Sequence, residues 1–129
     1  MSFILVPKHG GDLQINGWNW RPTLALLLAE GLLTEENFER MGAQGCGGKV
    51  DAELAWRLAD AIEAKLLTMK PGERMLADLS VTDRPDEQLV FTPGMEINEI
   101  NPLDLYSATY EWLVTFRDFC RRSGGFDVC

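Results

Sequence analysis

The densest group of residues able to do chemistry lies at residues 42–51, GAQGCGGKVD, which hold four glycines, Cys46 and Lys49. A phosphate-binding loop needs GxxxxGK[ST] between a strand and a helix, so that amides hold phosphates and a hydroxyl binds magnesium. Here Val50 follows Lys49, Asp51 adds a negative charge, and the preceding residues have a helical pattern. We therefore predict a turn between two helices, with Asp51 as N-cap of the second, although helix-end amides leave a weak anion site open.

Cys46 is the candidate nucleophile of that loop, because Lys49 and a helix N-terminus could stabilise a thiolate. The only histidine is His9, so a cysteine–histidine pair would have to use it as the base. His9 and the cysteines lack the spacing of a metal site. We predict an ordinary surface thiol at Cys46, a buried Cys120 that packs like a small hydrophobe, and no catalytic set, metal or cofactor.

The second candidate site is the aromatic pentapeptide NGWNW, with Trp18 and Trp20, followed by Arg21. Such tryptophans can line a ligand pocket or a protein-binding patch, but more often they close a small core. We favour the core interpretation. If the chain binds a ligand, the residues we expect to contribute are His9, Trp18, Trp20, Arg21, Cys46 and Lys49.

The first element along the chain that would position these residues is a predicted β-hairpin. Residues 3–6 and residues 12–15 fit two short strands, with a turn at residues 10–11. Asn16-Gly17 is itself a favoured turn dipeptide.

Two helices are predicted next. In NWRPTLALLLAEG, Pro22 suits the first helical position and Gly31 suits the left-handed residue after the end. In TEENFERMGAQG, Thr34 is the expected N-cap, and Glu35 and Glu36 lie at the positive end of the helix dipole.

The third helix is predicted over residues 51–69, before Pro71-Gly72. Glu53 and Arg57 form an i,i+4 pair on its charged edge, which also carries Asp60 and Glu63. Its apolar stripe consists of Leu54, Ala55, Leu58, Ile62, Leu66 and Met69.

The remaining chain predicts strands and a long final helix. LADLSV and EQLVFT, within residues 73–101, each fit a short strand around the turn-forming TDRPDE. The final helix is expected to begin at the N-cap Asn101, with Pro102 just inside, and to end at Gly124. Because it is apolar over more than half its circumference, it should lie at the centre of the fold or meet another chain. The apolar residues of the tail SGGFDVC are expected to dock onto the core.

Composition limits the class of protein. The 129 residues fit one domain, residues 1–129, and 20 acidic against 12 basic residues give a net charge of −8. That charge disfavours nucleic acids and anionic membranes as partners, and no apolar run approaches the roughly 20 residues that span a bilayer. Three cysteines without an export signal predict reduced thiols and a cytoplasmic location.

NGWNW, GCGGKVD and the closing FCRRSGGFDVC together resemble a small uncharacterised bacterial protein family. The resemblance covers most of the chain and implies a bacterial cytoplasmic protein. It implies no activity, cofactor or catalytic residue.

The sequence as a whole predicts a mainly α-helical domain, a compact bundle of about four helices. A minor β element comes from the N-terminal hairpin and from residues 76–92. The absence of a catalytic set favours a non-catalytic protein-interaction module, as a homodimer or as an immunity-type inhibitor whose acidic face covers a basic partner. The alternative is a small-molecule-binding protein or minor enzyme that uses the Trp18/Trp20 region and Cys46.

Overall fold

The computed structural model describes residues 2–43, 47–83 and 107–129. In these residues four helices accompany seven strands, which form two antiparallel sheets. The helices are α1 (Gly17–Ala29), α2 (Glu35–Gly42), α3 (Ala52–Leu66) and α4 (Tyr110–Ser123). The strands are β1 (Ser2–Pro7), β2 (Leu13–Asn16), β3 (Gly48–Val50), β4 (Arg74–Leu76), β5 (Val81–Thr82), β6 (Ser107–Thr109) and β7 (Phe126–Val128).

The prediction of a mainly α-helical bundle with a minor β element is wrong, because the fold is mixed α/β. The reason lies in the length of the strands. Five of the seven described strands have only two or three residues, which is too short for the alternation of apolar and polar residues that identifies a strand in a sequence.

The first sheet joins the two ends of the chain in the order β2-β1-β7-β3. The hairpin of β1 and β2 and the docking of the C-terminal tail, as β7, are both confirmed. Ile4 N–H donates to the Cys129 carbonyl at 3.1 Å, and Cys129 N–H donates to the Ile4 carbonyl at 2.8 Å. One face of this sheet buries apolar side chains toward the helices, namely Phe3, Leu5, Ile15, Val50, Phe126 and Val128.

The loop at residues 42–51 is not a simple turn between two helices, since Gly48–Val50 forms the edge strand β3. Close packing around Gly48 leaves little room for a side chain there. A Cβ there would lie 2.6 Å from Met41 Cγ and 3.2 Å from Val128 Cβ. Asp51 caps α3 as predicted, because its carboxylate accepts from Leu54 N–H at 2.8 Å.

The second sheet, in the order β5-β4-β6, explains why two other predictions were wrong. LADLSV is not one strand, because the chain turns at Leu79, with φ 73°, between β4 and β5. The part of the final helix that the structure describes begins at Tyr110, since the three residues before it pair with β4 and the Thr109 hydroxyl accepts from Trp112 N–H at 3.1 Å. The predicted strand EQLVFT and the predicted cap at Asn101 lie outside the described residues.

The apolar face of α4 is central in the core, which confirms the first of the two alternatives expected for it. Phe116 is fully buried; its ring centroid lies 5.4 Å from that of Trp112 and 6.1 Å from that of Phe126. Burial also raises the pKa of the Cys120 thiol. Cys129 is disulfide-bonded, so the expectation that all three thiols are reduced is wrong. No helix in the described parts of the chain has the length and apolarity to cross a membrane.

An ion pair links α3 to α4. Arg121 Nη2 donates to Glu63 Oε2 at 2.7 Å and lies 3.7 Å from an Asp60 oxygen. The Arg121 hydrogen bond, and then its charge, hold the pKa of Glu63 below the ordinary value of 4.5. A carboxyl whose pKa falls on folding stabilises the folded state above its unfolded pKa, and that stabilisation is lost as pH falls through the folded pKa.

In Arg121→Gln, the free energy of unfolding is therefore expected to fall less steeply below about pH 4.5 than in wild type, because Glu63 has lost the partner that lowers its pKa. Urea unfolding between about pH 3 and pH 7 measures the free energy of unfolding of wild type and variant. The matched control is Arg57→Gln, which removes the exposed i,i+4 partner of Glu53, since exposed pairs contribute little. Parallel curves for wild type and Arg121→Gln over the whole range would contradict the prediction.

Candidate functional site

The pentapeptide NGWNW forms the start of α1, not a turn that precedes it. The Asn16 side chain accepts from Asn19 N–H at 2.9 Å and so caps the helix. Asn19 Oδ1 in turn accepts from the Thr109 N–H of β6 at 3.0 Å. Pro22 consequently lies in the second turn of α1 and not at its first position, which corrects the predicted start; Gly31 is left-handed, with φ 74°, as predicted.

The two tryptophans of this motif have different environments. Trp20 is 1% exposed, whereas Trp18 is 48% exposed. Trp20 Nε1 donates to the Met41 carbonyl near the end of α2 at 2.8 Å. Its ring also meets Phe116 edge-on with centroids 5.4 Å apart. Trp20 therefore fixes α1 against both α2 and α4.

A hydrogen-bonded chain holds the next turn of α1 in place. The Thr23 hydroxyl donates to the Asn19 carbonyl at 2.9 Å and accepts from Trp112 Nε1 at 2.9 Å. Both Thr23 and Trp112 are buried. Satisfied polar groups in a core hold side chains in one arrangement, so these bonds fix the orientation of α1 against α4.

Between these elements lies a pocket of about 350 Å³, here called the α1–α2 pocket. Its volume falls within the range of ligand sites, roughly 300–1,000 Å³. An apolar cavity of about 150 Å³ is enough to hold benzene, so there is room for a small molecule with a ring. The lining residues are Phe3 of β1; Gly17, Trp18, Trp20, Arg21 and Leu24 of α1; and Phe38, Glu39, Gly42 and Ala43 at α2 and its C-cap.

Small residues at the end of α2 keep this volume open. A Cβ on Gly42 would meet only Leu24 Cδ1, at 3.6 Å, which is an ordinary contact. A longer side chain at Gly42 would extend into the pocket. The residue spacing carries a signal for this surface that sequence reasoning missed: Gly17, Trp20 and Leu24 recur at helical steps, and Phe38 and Gly42 are four residues apart.

Two opposite charges belong to an otherwise apolar lining. Arg21 and Glu39 are exposed residues on α1 and α2, and both line the pocket. Among the described residues, the lining includes no hydroxyl, thiol or imidazole side chain. It can bind an apolar group and place charged groups beside it, but these lining residues offer no pair of nucleophile and base.

The predicted site residues do not all come together. Trp18, Trp20 and Arg21 line the pocket. His9 lies away from it, with its ring against Gly124 after α4. Lys49 is exposed on the outer face of the first sheet, where Asp127 is its partner in the register. Cys46 lies outside the described residues.

In the described ranges, no group of three or more His, Cys, Asp or Glu residues is arranged to hold a metal ion. Comparison of the chain with protein-family models, with curated proteins and with solved structures gives no match.

Proposed function

We propose that the protein is a non-catalytic binding protein that takes a small molecule with an apolar ring into the α1–α2 pocket. The observation that carries this proposal is the half-exposed Trp18 beside a pocket of about 350 Å³. Ligand sites are typically apolar and aromatic, with a few polar groups that fix orientation. Phe3, Trp20 and Phe38 supply the aromatic part of such a lining.

The absence of catalysis is part of the proposal and is supported by the lining itself. Within the described part of the chain, Glu39 is the one carboxylate of the pocket lining, and neither His9 nor Lys49 is among the lining residues. Nucleophilic catalysis needs a nucleophile with an activating base within hydrogen-bonding reach, and the described lining has no hydroxyl, thiol or imidazole to form such a pair. A role in binding requires only the shape and the polarity that the lining has.

The protein-interaction module stays a prediction. One reason for expecting it was the apolar circumference of α4. The core already buries that surface, through Trp112, Leu113, Phe116, Phe119 and Cys120. The expectations of a homodimer and of an immunity-type inhibitor of a basic partner therefore rest on the absence of a catalytic set and on the net charge of −8.

Indole is a suitable probe, because it is a ring small enough for the pocket. Isothermal titration should show that indole binds wild type at a ratio of one to one. Gly42→Leu is expected to weaken indole binding at least about tenfold, because the new side chain fills the space next to Leu24. The indole then loses contacts worth more than ~1.4 kcal/mol. Trp18→Ala is expected to weaken it for lack of the half-exposed ring.

The matched control is Trp56→Ala, which removes a similarly exposed tryptophan, 54% against 48%, from α3. Binding of indole to this variant should equal that of wild type. Thermal unfolding of each variant shows that it is folded. A wild type that does not bind indole, or one whose binding is lost with Trp56 and not with Trp18, would overturn the proposal.

A further inference from the structure

We propose that the ligand of the α1–α2 pocket is an α-amino acid with an aromatic side chain, bound as a zwitterion. This inference rests on the proposed function and deepens it by naming the class of ligand. The apolar lining would receive the side chain, Arg21 the carboxylate and Glu39 the ammonium group. The two charges of such a ligand would complement those of Arg21 and Glu39 within a single pocket.

Arg21 is placed to recognise a carboxylate. It follows Trp20 on α1, and its backbone position is fixed because the Trp20 ring is buried against α2 and α4. A guanidinium has five donors in a planar fork that matches a carboxylate. Arg21 can thus keep a contact within the chain and still donate to a ligand.

Glu39 faces the same pocket from α2. No hydrogen bond or ion pair within the described residues involves its side chain, whereas Glu36 one turn earlier pairs with Arg40. A carboxylate is an acceptor only, so an ammonium group is its natural ligand partner. The two charges of the lining therefore have opposite requirements, which one zwitterion meets together.

The rest of the lining selects an apolar side chain with a flat face. Phe3, Trp18, Trp20 and Phe38 contribute aromatic rings, and Leu24 an aliphatic surface. Aromatic rings prefer offset or edge-to-face contact with another ring. A polar or charged side chain would lose its hydration against this lining without a partner.

The test uses four probes that differ by one charged group at a time. L-Phenylalanine carries both charges, 2-phenylethylamine lacks the carboxylate, 3-phenylpropionate lacks the ammonium group, and 3-phenylpropanol lacks both. Isothermal titration against wild type should give the tightest binding for phenylalanine. Each singly charged probe should bind about tenfold more weakly, since hydrogen bonds to charged groups are the stronger ones.

Two variants assign each preference to a residue. In Arg21→Gln, phenylalanine and 2-phenylethylamine should bind equally, because the partner of the carboxylate is gone. In Glu39→Gln, phenylalanine and 3-phenylpropionate should bind equally. The matched controls are Arg40→Gln and Glu36→Gln, which remove the charges of a neighbouring ion pair that does not line the pocket and should leave both ratios as in wild type.

The possible outcomes separate this inference from the proposed function. Equal binding of all four probes, or preferences that persist in Arg21→Gln and Glu39→Gln, would overturn the zwitterion and leave the aromatic pocket standing. Binding of indole without binding of phenylalanine would also overturn it. If indole fails as well, the proposed function fails with it.

Discussion

Replacing Trp20 by alanine is expected to lower the free energy of unfolding by about 4 kcal/mol, which is the usual cost of deleting a buried tryptophan. The ring is 1% exposed and lies with its centroid 6.4 Å from both Phe3 and Trp112. The variant also removes the donor to the Met41 carbonyl and leaves a buried acceptor without its partner. Urea unfolding measures the loss.

Trp18→Ala is the internal control, because it deletes the same side chain two residues earlier. Trp18 is 48% exposed, so its loss should cost less than about 1 kcal/mol and affect ligand binding instead. This contrast separates the residue that holds the pocket together from the one that contacts the ligand. Equal losses of stability for the two variants would contradict the assigned roles.

Gly125→Ala is the second change for which we expect a large effect, about 3 kcal/mol. Gly125 has φ 105°, which an alanine rarely adopts. A Cβ there would also lie 2.8 Å from the Val50 carbonyl oxygen, and backbone atoms cannot move aside easily. Gly125 leads from α4 into β7, the strand that joins β1 to β3, so a shift there disturbs the whole first sheet.

Gly72→Ala separates the energetic cost of backbone strain from that of a steric clash. Gly72 has a similar φ of 89°, but a Cβ there would have no atom of the described residues within 4 Å. Its replacement should therefore cost about 1 kcal/mol, for backbone strain alone. Unfolding in urea compares the two variants, and a Gly125→Ala protein no less stable than Gly72→Ala would contradict the close approach of β7 to β3.

The features of the fold that were predictable from sequence are those with a local cause. Thr34 and Asp51 cap α2 and α3, and Gly31 and Gly124 follow helices in the left-handed conformation. A hydroxyl or carboxylate just before a helix and a glycine just after one favour these roles through local geometry alone. The stripe of α3 was equally predictable, since buried residues such as Leu58 and Ile62 repeat at helical steps. Local signals thus identified the helices and the N-terminal hairpin, but not the long-range pairing that builds the two sheets.

Beyond the N-terminal hairpin and the docked tail, the pairing of the sheets could not be predicted, because the short strands depend on distant partners. Ser107–Thr109 has the pattern of a helix in the sequence, and only the pairing with Arg74–Leu76 makes it a strand. Tertiary contact here overrides local preference.

The candidate site was predictable only in part, because it too combines segments that are distant in the sequence. The aromatic motif pointed to Trp18, Trp20 and Arg21, which line the pocket. Phe38 and Glu39 come from a separate helix, and the sequence of neither helix specifies the distance between the two in space. His9 was a candidate because of its chemistry, yet it packs on Gly124 at the end of α4.

The central claim, that an apolar ring binds between α1 and α2, is tested most directly by the indole N–H signals of the protein's own tryptophans. A ¹H–¹⁵N correlation spectrum resolves Trp18, Trp20, Trp56 and Trp112 separately once each is assigned by substitution with phenylalanine. On titration with indole, the signals of Trp18 and Trp20 should move together along one saturation curve, while that of the exposed Trp56 stays in place. Unchanged signals from Trp18 and Trp20, or an equal shift at Trp56, would contradict the account.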